Sequence, residues 1–179
     1  MWELALLAVL GAVVLPSILG GPAGASGGLL SSRGLAWLKK EEGFRANRYW
    51  DFAGYSTGYG HLIEPGEYVP EPISEPQAAA LLAADVQGEY APAVLEKVGD
   101  LGLPQHKLDA LLLLCYNIGT GGFKGSTVVK RIRNGAPSAD VAEAWRRWNK
   151  AGGVYHAGLA ARREREISVF INGSYPWGC

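Results

Sequence analysis

Apolar and polar positions divide the chain into blocks of different period. Residues Leu4 to Gly20 carry no charge and are almost wholly apolar, and a run of small residues from Gly20 to Gly28 follows. Beyond it, Leu35, Leu38 and Glu42 stand at i, i+3 and i+7, the spacing of one helix face. This predicts a helix capped by Ser32 and closed by Gly43. Glu42 then lies in line with the apolar stripe, while Glu41 projects elsewhere. Tyr49 to Gly60 alternates aromatic and small residues with glycines at 54, 58 and 60, a pattern of hairpins in a tight two- or three-stranded sheet. Three prolines among acids between Glu64 and Glu75 predict a surface loop, and Ser74-Glu75-Pro76 a helix start. Gln77 to Val98 reads as a helix kinked at Pro92. Leu108 to Ile118 is apolar all round, which predicts a buried helix, and Gly119 to Gly125 breaks it. Helices are expected over Ser126–Asn134, Ser138–Asn149 and Leu159–Ile171, the last with Leu159, Ile167 and Phe170 inward and Arg162, Arg163 and Arg165 outward.

Composition narrows the possibilities. With 179 residues the chain is one domain plus an appendage, divided as an apolar anchor and Gly-rich linker over residues 1–30 and a folded domain over 31–179. Seventeen basic residues balance seventeen acidic ones, so no cationic excess exists to displace counterions from nucleic acid, which is excluded as the main partner. The apolar block reaches roughly 25 Å as a helix, just short of a bilayer core. Its small-residue tail around Ala23 to Ala25 suits a cleaved signal peptide, but Glu3 stands where a positive start belongs, and an uncleaved anchor fits better. Arg33, Lys39 and Lys40 follow the block, and the positive-inside bias would hold them in the cytoplasm. Residues 4–20 therefore engage either a membrane or other proteins. Cys115 sits in an apolar run and reads as a buried hydrophobe, Cys179 ends the sequence, and His61, His106 and His156 are scattered, so no metal-ligand spacing arises.

The chemistry concentrates between residues 41 and 61. Glu42 ends a helix, Asp51 follows nine residues later on a strand, and the hydroxyls of Ser56 and Thr57 lie just beyond. A helix-borne carboxyl facing a sheet-borne carboxylate across a cleft can cleave a glycosidic bond. An acid at the rim of an apolar face is one whose proton desolvation retains.

Glu42-Gly43-x-Arg45, Tyr49-x-Asp51-x-x-Gly54-Tyr55-x-Thr57 and Gly58-Tyr59-Gly60-His61 resemble the active-site region of the phage-type lysozymes, glycoside hydrolase family twenty-four. Asp109-Ala110-Leu111 through Asn117-Ile118-Gly119, with Ser126-Thr127-Val128, resemble that family's central buried helix and the turn after it. Trp148 through Gly152-Gly153, and Gly158-Leu159-x-x-Arg162-Arg163-x-x-Glu166-x-x-Val169-Phe170, resemble its C-terminal region.

The resemblance implies an α+β lysozyme-like fold, with a small hairpin lobe, a larger helical lobe and the cleft between them. It implies an inverting muramidase acting on the β-1,4 bond between N-acetylmuramic acid and N-acetylglucosamine, without cofactor or metal. Glu42, Asp51 and Thr57 would be catalytic, with Arg45 in a salt bridge that positions the Glu42 helix end. Tyr49, Ser56 and Asn117 are candidate substrate contacts. Peptidoglycan glycan strands are the implied partner, met during host lysis or wall penetration, from the host inner membrane and periplasm or from the virion. One departure matters: Thr57 runs directly into Gly58, so counting from Asp51 selects Thr57 and counting back from Gly58 selects Ser56. A non-catalytic glycan-binding virion protein and a lytic transglycosylase are the rival readings, and the retained Asp51 and hydroxyl speak against both.

Overall fold

The computed structural model describes residues 28–51 and 54–178. The anchor expected over residues 4–20 and the terminal Cys179 lie outside the described residues. Helix α1 (Ser32–Glu42) is capped by Ser31, whose hydroxyl accepts from the Gly34 N–H at 3.1 Å, one residue earlier than Ser32. It ends at Gly43, whose φ of 71° suits a residue without Cβ. Trp37 and Leu38 are buried and carry the packing of this helix, while Leu35 is only half-buried.

The chain then turns into an antiparallel sheet of order β1 (Arg45–Asp51), β2 (Gly54–Gly58) and β3 (His61–Leu62). Tyr49 pairs with Ser56, Trp50 with Tyr55 and Asp51 with Gly54, and an irregularity between Arg45 and Tyr49 shifts the pairing so that Arg45 meets Gly58. The sheet lies on α2 (Glu75–Asp85), which starts where Ser74 and Gln77 exchange hydrogen bonds, Ser74 N–H to Gln77 Oε1 at 3.0 Å.

The kink expected at Pro92 is a π-helical turn over Val86–Tyr90, which separates α2 from α3 (Ala91–Val98). Pro92 thus falls in the first turn of α3, where its missing N–H breaks no ladder. Helix α4 (Gln105–Gly125) forms the centre: Ala110 to Cys115 are all buried, and α1, α3, α5 and α7 pack on it. Its backbone leaves helical geometry at Gly119 (φ 78°), where the break was expected. Then follow α5 (Thr127–Arg133), α6 (Ser138–Arg146), a small hairpin β4 (Lys150–Ala151) and β5 (Val154–Tyr155), and α7 (Ala157–Asn172). Helix α6 stops at Arg146, about one turn short of the expected end at Asn149, and the hairpin follows. Gly152 and Gly153, with φ of 57° and 83°, make its two-residue turn.

Helix α7 corrects the sequence expectation most sharply. Arg162 and Arg163, expected to face outward, are 6% and 0% exposed, and Glu166 is 0% exposed. Simple amphipathic patterning puts charges in water, but here the cations and carboxylates neutralise one another inside. Arg165 is half-buried and clamps Glu41 of α1 through Nε at 2.6 Å and a second nitrogen at 3.0 Å.

The buried Asp109 on α4 ties Ser31, ahead of α1, and Tyr175, after α7, to this core. It accepts from the Ser31 N–H at 2.9 Å, from Gln105 Nε2 at 2.8 Å, and from the hydroxyls of Ser31 and Tyr175. Asp109→Ala leaves those donors without their acceptor and should lower unfolding free energy by about 2–3 kcal/mol in urea titrations at neutral pH.

Candidate active site

Glu42 is the last residue of α1, and its position there follows from Gly43, which stops the helix one residue later. The side chain is 21% exposed and meets Arg162 Nη2 at 2.9 Å through Oε1. Burial pushes its pKa up from the ordinary carboxylate value. The charge and contact of Arg162 oppose that shift, neighbouring Glu41 adds to it, and Arg163 subtracts from it. Desolvation wins, and Glu42 is poised to hold a proton. The cation on Glu42 is thus Arg162; Arg45, expected in a salt bridge at this helix end, instead lies over the Tyr49 ring with its guanidinium carbon 4.3 Å from the centroid.

Behind Arg162 stands a second carboxylate. Glu166 Oε1 receives Arg162 Nε at 3.0 Å and Arg163 Nη2 at 2.9 Å, and Oε2 receives Trp145 Nε1 at 2.9 Å. Arg163 Nη2 also donates to Asn117 Oδ1 at 2.7 Å. Asn117, a candidate substrate contact, therefore has its carbonyl oxygen committed to α7.

The sheet sets the other side of the site. Residues directly paired across strands share a face, and alternate residues on a strand return to it. Asp51, Tyr49 and Ser56 accordingly lie on one face, and Trp50, Tyr55, Thr57 and His61 on the other. The edge-on packing of Trp50 against Tyr55, with centroids 5.2 Å apart, marks the second face. Ser56 and Thr57 are both buried, whereas Asp51 is exposed at the end of β1. Tyr49 links the two acids: burial pushes its phenol up, Arg45 opposes, and both Asp51 and Glu42 add to the rise. One hydroxyl feels both carboxylates.

A cleft of ≈ 320 Å³ adjoins this point, walled by Gly60, His61 and Leu62 on one side and by Asp85, Tyr90 and Tyr116 on the other. Tyr90 and Tyr116 pack with centroids 4.8 Å apart, and the Tyr116 hydroxyl donates to the Tyr59 carbonyl at 3.0 Å. Both phenols are pushed up chiefly by burial, with Glu42 contributing, Tyr90 to about 12. Gly60 has φ +95°, and a Cβ there would stand 3.6 Å from the Tyr116 hydroxyl and 4.0 Å from that of Tyr49. The Tyr49 hydroxyl thus lies close to the Gly60 edge of this cleft.

Sequence reasoning missed Tyr90, Tyr116 and the inward role of Arg162 and Glu166. For the last pair a signal existed: Arg162 and Arg163 stand at i,i+4 and i,i+3 to Glu166, the spacing of intrahelical ion pairs.

These features define a class: an α+β scaffold with a half-buried acid at the end of a helix and an exposed acid at the end of a strand of a small antiparallel sheet. Residues 39–166 match the phage lysozyme family, and the chain belongs to that family. It is 32% identical over 149 residues to the endolysin of Salmonella phage P22, covering 80% of this chain and 98% of that one. It is 34% identical over 150 residues to the endolysin of Bacillus phage B103, covering 80% of this chain. The chain spans only 54% and 56% of the length of the two Bacillus phage endolysins it matches, B103 and PZA. A SAR-endolysin of Bacteriophage PS119 is 33% identical over 139 residues, 74% of this chain and 77% of its own length. Among solved structures, the endolysin from Escherichia coli O157:H7 phage FAHEc1 superposes with a TM-score of 0.70 at 35% identity, over 82% of this chain and 96% of that one.

His61 fastens the sheet to α2 beside the cleft. Its Nδ1 contacts the two Asp85 oxygens at 3.0 and 2.9 Å, and its Nε2 contacts Glu67 at 3.0 Å. The bond to Asp85 raises its pKa, burial opposes, and the Asp85 charge and Glu67 add, for a value of about 9 against an ordinary 6.5. Because the folded value exceeds the unfolded one, this stabilisation is complete below pH 6.5 and lost as pH climbs to about 9. Urea unfolding between pH 5.5 and 10 should register a decline of about 2 kcal/mol across that window, and Asp85→Asn should remove most of it.

Proposed function

We propose that the chain is a peptidoglycan muramidase that hydrolyses the β-1,4 bond between N-acetylmuramic acid and N-acetylglucosamine. The observation that carries this reading is membership of the phage lysozyme family together with two acids in unlike surroundings: Glu42, half-buried at the end of α1 where burial raises its pKa, and Asp51, exposed at the end of β1. Glu42 donates its proton to the leaving oxygen. Asp51, ionised, stabilises the developing positive charge on the sugar and orients the attacking water. Of the two hydroxyls, the strand register supports Ser56 as the group that holds that water, since it shares the face of Asp51 and Tyr49. Thr57, which spacing from Asp51 selects, pairs with His61 on the opposite face. Tyr49 lines the substrate path, and Asn117 acts through Arg163. Inversion at the anomeric carbon is part of the proposal, supported by family membership.

The cell wall is the site of action, and relatives named endolysins support host lysis as the occasion. Attachment to a membrane through residues 4–20, with action from the periplasmic side, rests on the uncharged apolar stretch and on the SAR-endolysins among the relatives.

Glu42→Gln should lower the rate of cell-wall lysis about 10²–10⁴-fold while leaving the thermal unfolding curve in place. Turnover near wild type would refute the assignment. Mass spectrometry of released fragments should find reducing ends carrying one added water; anhydro sugars would indicate a transglycosylase, and no release a binder. Ser56→Ala should lower kcat about tenfold or more, and Thr57→Ala should leave kcat largely intact even where stability falls.

A further inference from the structure

Two carboxylates share one guanidinium in this site. Arg162 reaches Glu42 with Nη2 at 2.9 Å and Glu166 with Nε at 3.0 Å, and both it and Glu166 are buried. Glu42 is the acid of the proposed reaction; Glu166 lies on the far side of Arg162, enclosed by Arg163 and Trp145. We propose that Glu166 is a positioning residue for the acid: by holding Arg162 and Arg163 from behind, it keeps their positive charge from stripping the proton off Glu42.

The charge balance gives the reason. With Glu42 protonated, Arg162, Arg163 and the Glu166 carboxylate carry a single net positive charge. Replacing Glu166 with a neutral group doubles that charge beside Glu42, and ionisation of Glu42 is the nearest relief. Arg163 sharpens the effect, since its Nε and Nη1 are buried with no hydrogen-bond partner among the described residues. Among the described residues its hydrogen bonds go to Glu166 and to the neutral Asn117 oxygen, both from Nη2. Burial raises the pKa of Glu166, and Arg163, Arg162 and Trp145 oppose that rise; three N–H donors on its two oxygens, two of them from guanidinium groups, make it the ionised member of this group. The other groups facing Glu42 do not substitute for it. Glu41 of α1 is committed to Arg165, and Tyr49 of β1, Tyr90 of the π-turn and Tyr116 of α4 are neutral phenols whose ionisation is displaced upward.

The inference rests on Glu42 being the acid, and the test separates the two. In Glu166→Gln, the alkaline limb of the lysis-versus-pH profile should move down by about one pH unit. The Glu42 carboxyl carbon resonance, assigned by its loss in Glu42→Gln, should titrate lower by the same amount. Arg163→Gln should move both upward, and the double variant Glu166→Gln/Arg163→Gln should return them toward wild type. A purely structural role for Glu166 would lower stability without moving either quantity. An unmoved resonance in folded Glu166→Gln, or shifts of the same sign in both single variants, overturns the proposal. Should Glu166→Gln not fold, the absence of an upward shift in Arg163→Gln overturns it equally. An active Glu42→Gln would instead refute the assignment of the acid, while the resonance still reports on the charge balance.

Discussion

The proposed chemistry depends on Arg162 being shared between Glu42 and Glu166. A buried carboxyl needs a counter-charge or a proton, and a buried guanidinium needs a carboxylate. Had Arg162 faced Glu42 alone, the two would have formed an ordinary ion pair and Glu42 would have no proton to give. With Glu166 on its other flank, Arg162 orients Glu42 without neutralising the cost of its ionisation. The same contact ties α1 to α7, so the surroundings of the acid and the joining of two helices are one problem with one solution. Glu41 and Arg165, one residue along on each helix, add a second clamp on the same seam.

The small sheet meets a different constraint. Gly58 sits against α2 so closely that a Cβ there would come within 2.8 Å of the Ala78 methyl, and its φ is +63°. No other residue fits that crossing without displacing backbone. The contact fixes where β2 lies on α2, and His61 with Asp85 fixes where β3 lies on it. With β2 held in place, period-two alternation decides which side chains meet the cleft. Tyr49, Asp51 and Ser56 share one face, and Thr57 and His61 share the other. The choice between Ser56 and Thr57 thus turns on pairing partners rather than on counting along the chain, and the pairing favours Ser56.

Much of the scaffold was legible beforehand because it obeys local rules. Gly43 stops α1, Ser74 and Gln77 start α2, Gly119 breaks α4, and the unbroken apolar run from Ala110 to Cys115 is buried. Where two local signals competed, prediction erred by small amounts: the cap fell on Ser31 instead of Ser32, and Pro92 was accommodated by a π-turn ahead of it. The inward burial of Arg162 and Arg163 was misread for a deeper reason. Polarity assigns a charged residue to water unless its partner is known, and part of theirs lies 120 residues upstream, on α1, at Glu42.

The sequence by itself determined which chemical groups exist and how far apart they stand along the chain: Glu42 at a helix stop, Asp51 on a strand, a hydroxyl ahead of Gly58, and a buried central helix. Those facts follow from backbone propensity and hydrophobic period, which act over a few residues. Tertiary structure alone decided the protonation bias of Glu42, the face on which each hydroxyl lies, and the burial of the α7 arginines. Each of these depends on desolvation and on charges brought together from distant segments, and such terms have no value until the chain has folded.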